Sequence, residues 1–127
     1  MPTFLRLKYR VTHEAFYSFH DKVRALGIEV PVIAGIMPLT SAKQVDRMIS
    51  MCGATLPESV QQFIRAYGHN SLAMKEAGII YATEQIIDLL AHGVDGIHLY
   101  TMNQPDIAKR IMENIRGILY ALRVKKA

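Results

Sequence analysis

Side chains suited to gripping a ligand cluster at two points of this chain. Thr40 and Gln44 follow the run Val30-Pro31-Val32-Ile33-Ala34-Gly35-Ile36-Met37-Pro38-Leu39. His98, Tyr100, Thr101, Asn103 and Gln104 close or follow the run Gly96-Ile97-His98-Leu99. Neither set contains a carboxylate pair, a nucleophile beside a base, or a metal cluster. Amides and hydroxyls orient a ligand and rarely perform general acid–base chemistry. No catalytic residue is assigned on this basis.

Each of these residues also has a simpler structural reading. Gln44 stands three residues beyond Ser41, the spacing of a capping box. Asn103 suits a helix cap. His98 lies within an apolar strand and reads first as a hydrogen-bonded core histidine. Tyr100, two residues on, shares its face. His13, His20, His69, His92 and His98 lack HExxH or any comparable ligand spacing. GxGxxG and P-loop patterns are absent. Cys52, before Gly53, reads as a small buried residue.

The elements that hold these groups follow from periodicity. The apolar run from Val30, bounded by turn residues, predicts a strand buried on both faces, with Pro31 tolerated only at its start. Gly35 and Pro38 mark its exit. Gly96 to Thr101 predicts a second buried strand. Leu5 to Val11 alternates apolar and basic residues, which predicts a half-exposed strand away from the centre of a parallel sheet.

Helices fill the intervals. Thr12 can cap a helix from His13, with Phe16, Phe19, Val23 and Leu26 on one stripe and Gly27 at its end. Ser41 opens a second, with Val45, Met48 and Ile49 facing inward and Cys52-Gly53 closing it. Thr55 to Glu58 opens a third, with Pro57 in its first turn, Val60, Phe63, Ile64 and Tyr67 as its apolar positions, and Gly68 as its stop. A long helix is predicted from about Leu72 to Ala91. Its apolar density at Ile79, Ile80, Ile86, Ile87, Leu89 and Leu90 predicts cover on more than one side. The last helix starts near Pro105, with Asp106 in its first turn, and presents Ile107, Ile111, Ile115, Ile118 and Leu122. The order strand–helix–strand–helices–strand–helix predicts an α/β fold with a parallel sheet and right-handed crossovers. Three strands cannot close a barrel, and a complete α/β barrel takes roughly 250 residues.

Composition narrows the class further. A chain of 127 residues that is 50% hydrophobic and 20% charged supports a packed core and excludes a disordered chain. Cys52 is the single cysteine, so no disulfide forms within the chain, which fits a reducing compartment. Met1 to Arg6 lacks the apolar region of a secretory signal, and no apolar run reaches bilayer-spanning length. The expected location is the cytoplasm, without membrane contact. The net charge of +4 gathers at the two ends, around Arg6, Lys8 and Arg10 and around Arg123, Lys125 and Lys126. No aromatic residues interleave there to stack on bases, so the ends read as solvated termini and nucleic acid is not an expected partner.

Gly35-Ile36-Met37-Pro38, Cys52-Gly53-Ala54 with Leu56-Pro57, and Gly96-Ile97-His98-Leu99-Tyr100-Thr101-Met102-Asn103 recur here in fixed order. Together they closely resemble the methylenetetrahydrofolate reductase family, from about Glu14 to Leu119. The resemblance implies an eight-stranded α/β barrel with FAD at the strand carboxyl ends. It implies reduction of methylenetetrahydrofolate to methyltetrahydrofolate by NAD(P)H through the flavin. This chain would then be a partial TIM (β/α)8 barrel, holding its sixth, seventh and eighth strands. The family's catalytic acid and most flavin contacts come from earlier strands. The isolated chain is therefore expected neither to bind FAD nor to turn over folate.

Carried over by position, Gln44 matches a family glutamine that contacts folate or nicotinamide. Met48 falls where some members stack an aromatic residue on the ligand, and Met102 falls on a ligand-lining apolar position. The loop from Tyr100 to Gln104 completes the expected substrate-binding set. Gln104 departs from the family's basic residue, which meets the glutamate tail of folate, so that charge-assisted contact is lost. Lys8 stands where the family's sixth strand carries a ligand-binding glutamine. Residues 1–13 are accordingly expected to be an atypical segment arising from truncation, frameshift or a new start, and residues 14–127 the C-terminal half-barrel. A non-enzymatic alternative is a half-barrel that self-associates as a homo-oligomer or completes a barrel with a complementary chain, because an open sheet edge invites pairing.

Overall fold

The computed structural model describes the backbone of residues 5–7, 13–52 and 56–126, and the side chains of residues 16–47, 49–50 and 56–123. The order is β1 (Leu5–Leu7), α1 (His13–Ala25), β2 (Val32–Ile36), α2 (Ala42–Cys52), α3 (Glu58–Tyr67), α4 (Ser71–His92), β3 (Gly96–Leu99) and α5 (Pro105–Lys126). The three strands form one sheet in the order β1-β2-β3, parallel throughout. The continuation of β1 towards Val11, the Thr12 cap, the Thr55 cap and the side chains of Met48 and Cys52 lie outside the described residues.

β2 is central, as its uninterrupted apolar run requires. Its start is fixed by Asp95 rather than by β1 alone. The Asp95 carboxylate accepts from the Val32 amide at 2.8 Å and from the Arg24 guanidinium at 2.9 Å. The Asp95 amide returns a bond to the Val32 carbonyl at 3.0 Å. One acidic side chain thus ties the end of α1, the start of β2 and the entry to β3.

Helices α1, α4 and α5 cover one face of the sheet. Phe16 and Val23 from α1, Ile79, Ile86 and Leu89 from α4, and Ile107, Ile111 and Ile115 from α5 close over Val32, Ala34 and Ile36. These three β2 side chains are buried, whereas Ile33 on the opposite face is only half-buried. Burial on both faces, expected from the sequence, therefore holds fully for the helix side alone. β3 is half-buried along its whole length because it is the terminal strand of this sheet. A second cluster, built on Leu39, Val45, Val60 and Met74, packs α2, α3 and α4 beyond the end of β2.

Several helix positions depart from the periodic expectation. Leu26 is 78% exposed, because α1 stops at Ala25 and the chain turns away through Gly27 at φ +79°. Buried His20 takes the inward position instead. Tyr67, expected inside, is exposed at the end of α3. Gly68 stops α3 in a right-handed conformation, where a Cβ would lie 2.5 Å from the Ile64 carbonyl oxygen. α4 does pack against α1, α3, α5 and β2, but Ile80 and Ile87 face outward.

Gly78 lets α4 cross tightly over the exit of β2. A Cβ there would lie 2.0 Å from the Leu39 carbonyl oxygen and 3.2 Å from Thr40 Cα, both backbone atoms that cannot swing aside. Gly78→Ala is therefore expected to destabilise the fold by about 1–3 kcal/mol, despite its better helix propensity. Gly117→Ala, on an exposed stretch of α5 with nothing within 4 Å, is expected to add up to about 1 kcal/mol. Urea denaturation of the two variants checks the opposite signs.

Candidate functional site

Parallel pairing brings the two polar strand ends together. Ala34 pairs with Ile97, Gly35 with His98 and Ile36 with Leu99, and the Tyr100 amide extends the ladder to the Ile36 carbonyl at 2.8 Å. Both exits therefore open on the same rim, the carboxyl edge where parallel α/β proteins bind ligands. A cleft of about 350 Å³ lies there. Thr40, Gln44, Tyr100, Thr101, Met102 and Gln104 all line it. His98 and Asn103 do not, although the His98 ring lies against Tyr100 with centroids 4.4 Å apart. His98 is half-buried rather than a core residue.

Gln44 is held from both ends of its amide. Its Oε1 accepts from the Thr40 amide at 3.1 Å and from the Thr40 hydroxyl at 3.3 Å, while its Nε2 donates to the Pro38 carbonyl at 3.1 Å. Ser41 Oγ caps α2 by accepting from the Gln44 amide at 3.1 Å. The cap half of the predicted box is thus present. The reciprocal half differs, since Gln44 reaches past the cap residue to the strand-exit loop. It braces the turn at Pro38 while bordering the cleft.

The loop after β3 carries backbone strain. Met102 and Asn103 have φ of 51° and 64°, and the Gln104 amide donates to the Thr101 carbonyl at 3.1 Å. Positive φ at both central positions is the sign of a type I′ turn, which favours Asn or Gly. Asn103 suits it; Met102, 64% exposed, does not. The turn holds Met102 and Gln104 at the cleft wall.

Two cations border the cleft that strand-end reasoning passed over, Arg47 from α2 and Lys75 from α4. Lys75 Nζ contacts Asp106 Oδ2 at 2.5 Å, joining the first turns of α4 and α5. This hydrogen bond holds the Asp106 carboxyl below its usual range. A sequence signal existed: Arg47 stands three residues after Gln44, on the same helical face. The first turns of α2, α4 and α5 all reach the rim, through Ser41, Ser71 and Gln104. Their helix dipoles add positive potential. The cleft lies at the low end of ligand-pocket volumes, about 300–1,000 Å³.

Adjacent parallel strands that open into a polar cleft bordered by Arg47 and Lys75 define an α/β protein with a small parallel sheet. Residues 9–116 match the family described as methylenetetrahydrofolate reductase, and the chain belongs to that family. It is 34% identical over 114 residues to methylenetetrahydrofolate reductase (NADH) 1 of Arabidopsis thaliana, covering 90% of this chain and 19% of that protein. It is 31% identical over 104 residues to methylenetetrahydrofolate reductase 1 of Schizosaccharomyces pombe, covering 82% and 17%. With the 5,10-methylenetetrahydrofolate reductase of Escherichia coli it shares 26% identity over 102 residues, covering 80% and 34%. The chain thus spans about one fifth of the plant and yeast relatives and about one third of the bacterial one.

Met102→Asn tests the strain in the exit turn. The change is expected to raise stability by about 1 kcal/mol, seen as a higher urea midpoint, because Asn tolerates positive φ and little apolar burial is lost. An unchanged midpoint would mean that the turn stores no strain.

Proposed function

We propose that residues 14–127 are the C-terminal half of a methylenetetrahydrofolate reductase barrel and that the chain as a whole, through β1, β2 and β3, furnishes its sixth, seventh and eighth strands. In the whole assembly the reaction is flavin-dependent reduction of 5,10-methylenetetrahydrofolate to 5-methyltetrahydrofolate at the expense of NAD(P)H. FAD, when bound, supplies the hydride relay, and its contacts come mainly from strands outside this chain. This chain's share is positioning. Gln44 orients the ring of folate or nicotinamide, Tyr100 and Met102 form the wall against it, and Gln104 closes the end. Met48 is assigned to the same set by its family position.

The observation that carries this reading is the convergence of Gln44, Tyr100, Met102 and Gln104 on one rim cleft. Arg47 and Lys75, on the same cleft, supply positive charge where Gln104 has replaced the family's basic residue. They would meet the carboxylates of a folate tail. A cytoplasmic location fits the single cysteine, and no described helix is long and apolar enough to cross a membrane.

One observation favours a complementary chain as partner. β3 is the terminal strand, and beside it an apolar cleft of about 370 Å³ is bordered by Ile97, Leu99, Ile111, Ile115 and Leu119. The missing barrel strands, or a second copy, would cover it. Light scattering after size exclusion separates the cases: a clean monomer disfavours self-association.

The purified chain is expected to be colourless and to oxidise no NADH. Co-expression with the N-terminal two thirds of a bacterial relative is expected to yield a yellow complex that reduces the folate. In that complex Gln44→Ala is expected to raise the folate KM about tenfold, the worth of one ligand hydrogen bond. A yellow, active chain on its own would refute the division of labour. An active complex indifferent to Gln44→Ala would remove Gln44 from the site.

A further inference from the structure

Among the five histidines, two meet far from the rim cleft. His20, on α1, and His92, the last residue of α4, have ring centroids 5.3 Å apart. Asp21 lies beside them, with its Oδ1 3.1 Å from His92 Nε2. One donor atom from each of the three residues falls within 4.8 Å of the other two. This group sits towards the amino ends of the strands, because α4 ends there before β3 begins.

We infer that His20, Asp21 and His92 form a site for a divalent transition metal of the zinc class, which clamps α1 to α4.

A second observation points the same way. His20 is only 6% exposed, and neither of its ring nitrogens has a hydrogen-bond partner. Buried polar atoms are ordinarily satisfied, so an unpaired imidazole invites a ligand. Its ring is held in place by stacking on Phe16, with planes 12° apart. The His92 ring stacks on Tyr17 at 4.1 Å. Both donors are thus oriented by aromatic neighbours before any ion arrives. Arg24, one turn further along α1, is engaged by Asp95 at 2.9 Å.

The donor set is two imidazole nitrogens and one carboxylate oxygen, which suits Zn²⁺, Co²⁺ or Ni²⁺ rather than Mg²⁺ or Ca²⁺. A tetrahedral ion with ligands at about 2.0–2.1 Å needs its donors roughly 3.3–3.4 Å apart. Rotation of Asp21, whose side chain is 69% exposed, and small shifts of the rings close that gap. Water takes the fourth position. The ion would join residues 71 apart in the chain, so binding should favour the folded state. A location at the amino ends of the strands marks a stabilising role, away from the reactive rim.

The test uses the full chain stripped with EDTA, titrated with Zn²⁺ by calorimetry and with Co²⁺ by visible absorption, with Tm read in parallel. One ion per chain is expected, with the d–d bands of four-coordinate Co²⁺ and a rise in Tm. His92→Gln and Asp21→Asn change partly exposed side chains, and circular dichroism checks that both fold. Affinity is expected to fall by about 100-fold or more in the first and about tenfold in the second. Cys52→Ser, which removes the single thiol, is expected to leave binding unchanged. A flat Zn²⁺ titration, or stoichiometric binding that survives His92→Gln, would overturn the site.

Discussion

The parallel pairing of β2 with β3 is the constraint on which this molecule rests. Their register sets Gly35 opposite His98 and Ile36 opposite Leu99, so both strands end together. Everything polar at the rim depends on that shared end point. A slip of one residue would turn Ile97 and Leu99 off the helix-covered face and expose them. Asp95 guards against it, because its carboxylate and amide both bind Val32 at the opposite end of the same pair. The register is fixed at the strand starts and its consequence appears at the strand ends.

From that constraint the character of the cleft follows. In a parallel α/β unit each crossover helix begins at the carboxyl rim, so several helix N-termini gather there. Here α2, α4 and α5 all contribute, with Arg47 and Lys75 on their early turns. Two local devices then shape the opening. Gln44 holds the exit of β2 by bonding to both Pro38 and Thr40. The turn at Met102 and Asn103 holds the exit of β3 in a conformation that Met102 resists. Strain kept at a rim loop is commonly a mark of a binding surface.

The opposite end of the sheet has a different chemistry. Arg24, Asp95 and Val32 form a compact polar knot, and His20, Asp21 and His92 gather on α1 and α4. Burial pushes the His20 imidazole below its ordinary pKa, assisted by Arg24 and His92, and Asp21 and Asp95 oppose the shift. The neutral form is therefore favoured within the fold. The polar cleft lies at one end of the sheet and the Asp95 contacts that tie α1 to β2 lie at the other.

Periodicity alone determined much of this protein. The apolar run at β2 and the isoleucine stripe of α5 report local backbone period and burial, which a chain encodes residue by residue. Asn70 caps α4 by accepting from the Ala73 amide at 3.0 Å, a local side-chain role. The placement of Gln44, Tyr100, Met102 and Gln104 on one rim was also foreseeable, because parallel strands share a direction. Other features were decided only by the tertiary structure. Leu26 and Ile80 are apolar yet exposed, since exposure depends on which neighbours arrive. Arg47 and Lys75 reach the cleft from separate helices, and His20 meets His92 across 72 positions of sequence. No spacing rule detects such meetings, because packing of whole helices brings them about, and local sequence carries no record of a partner so far along the chain.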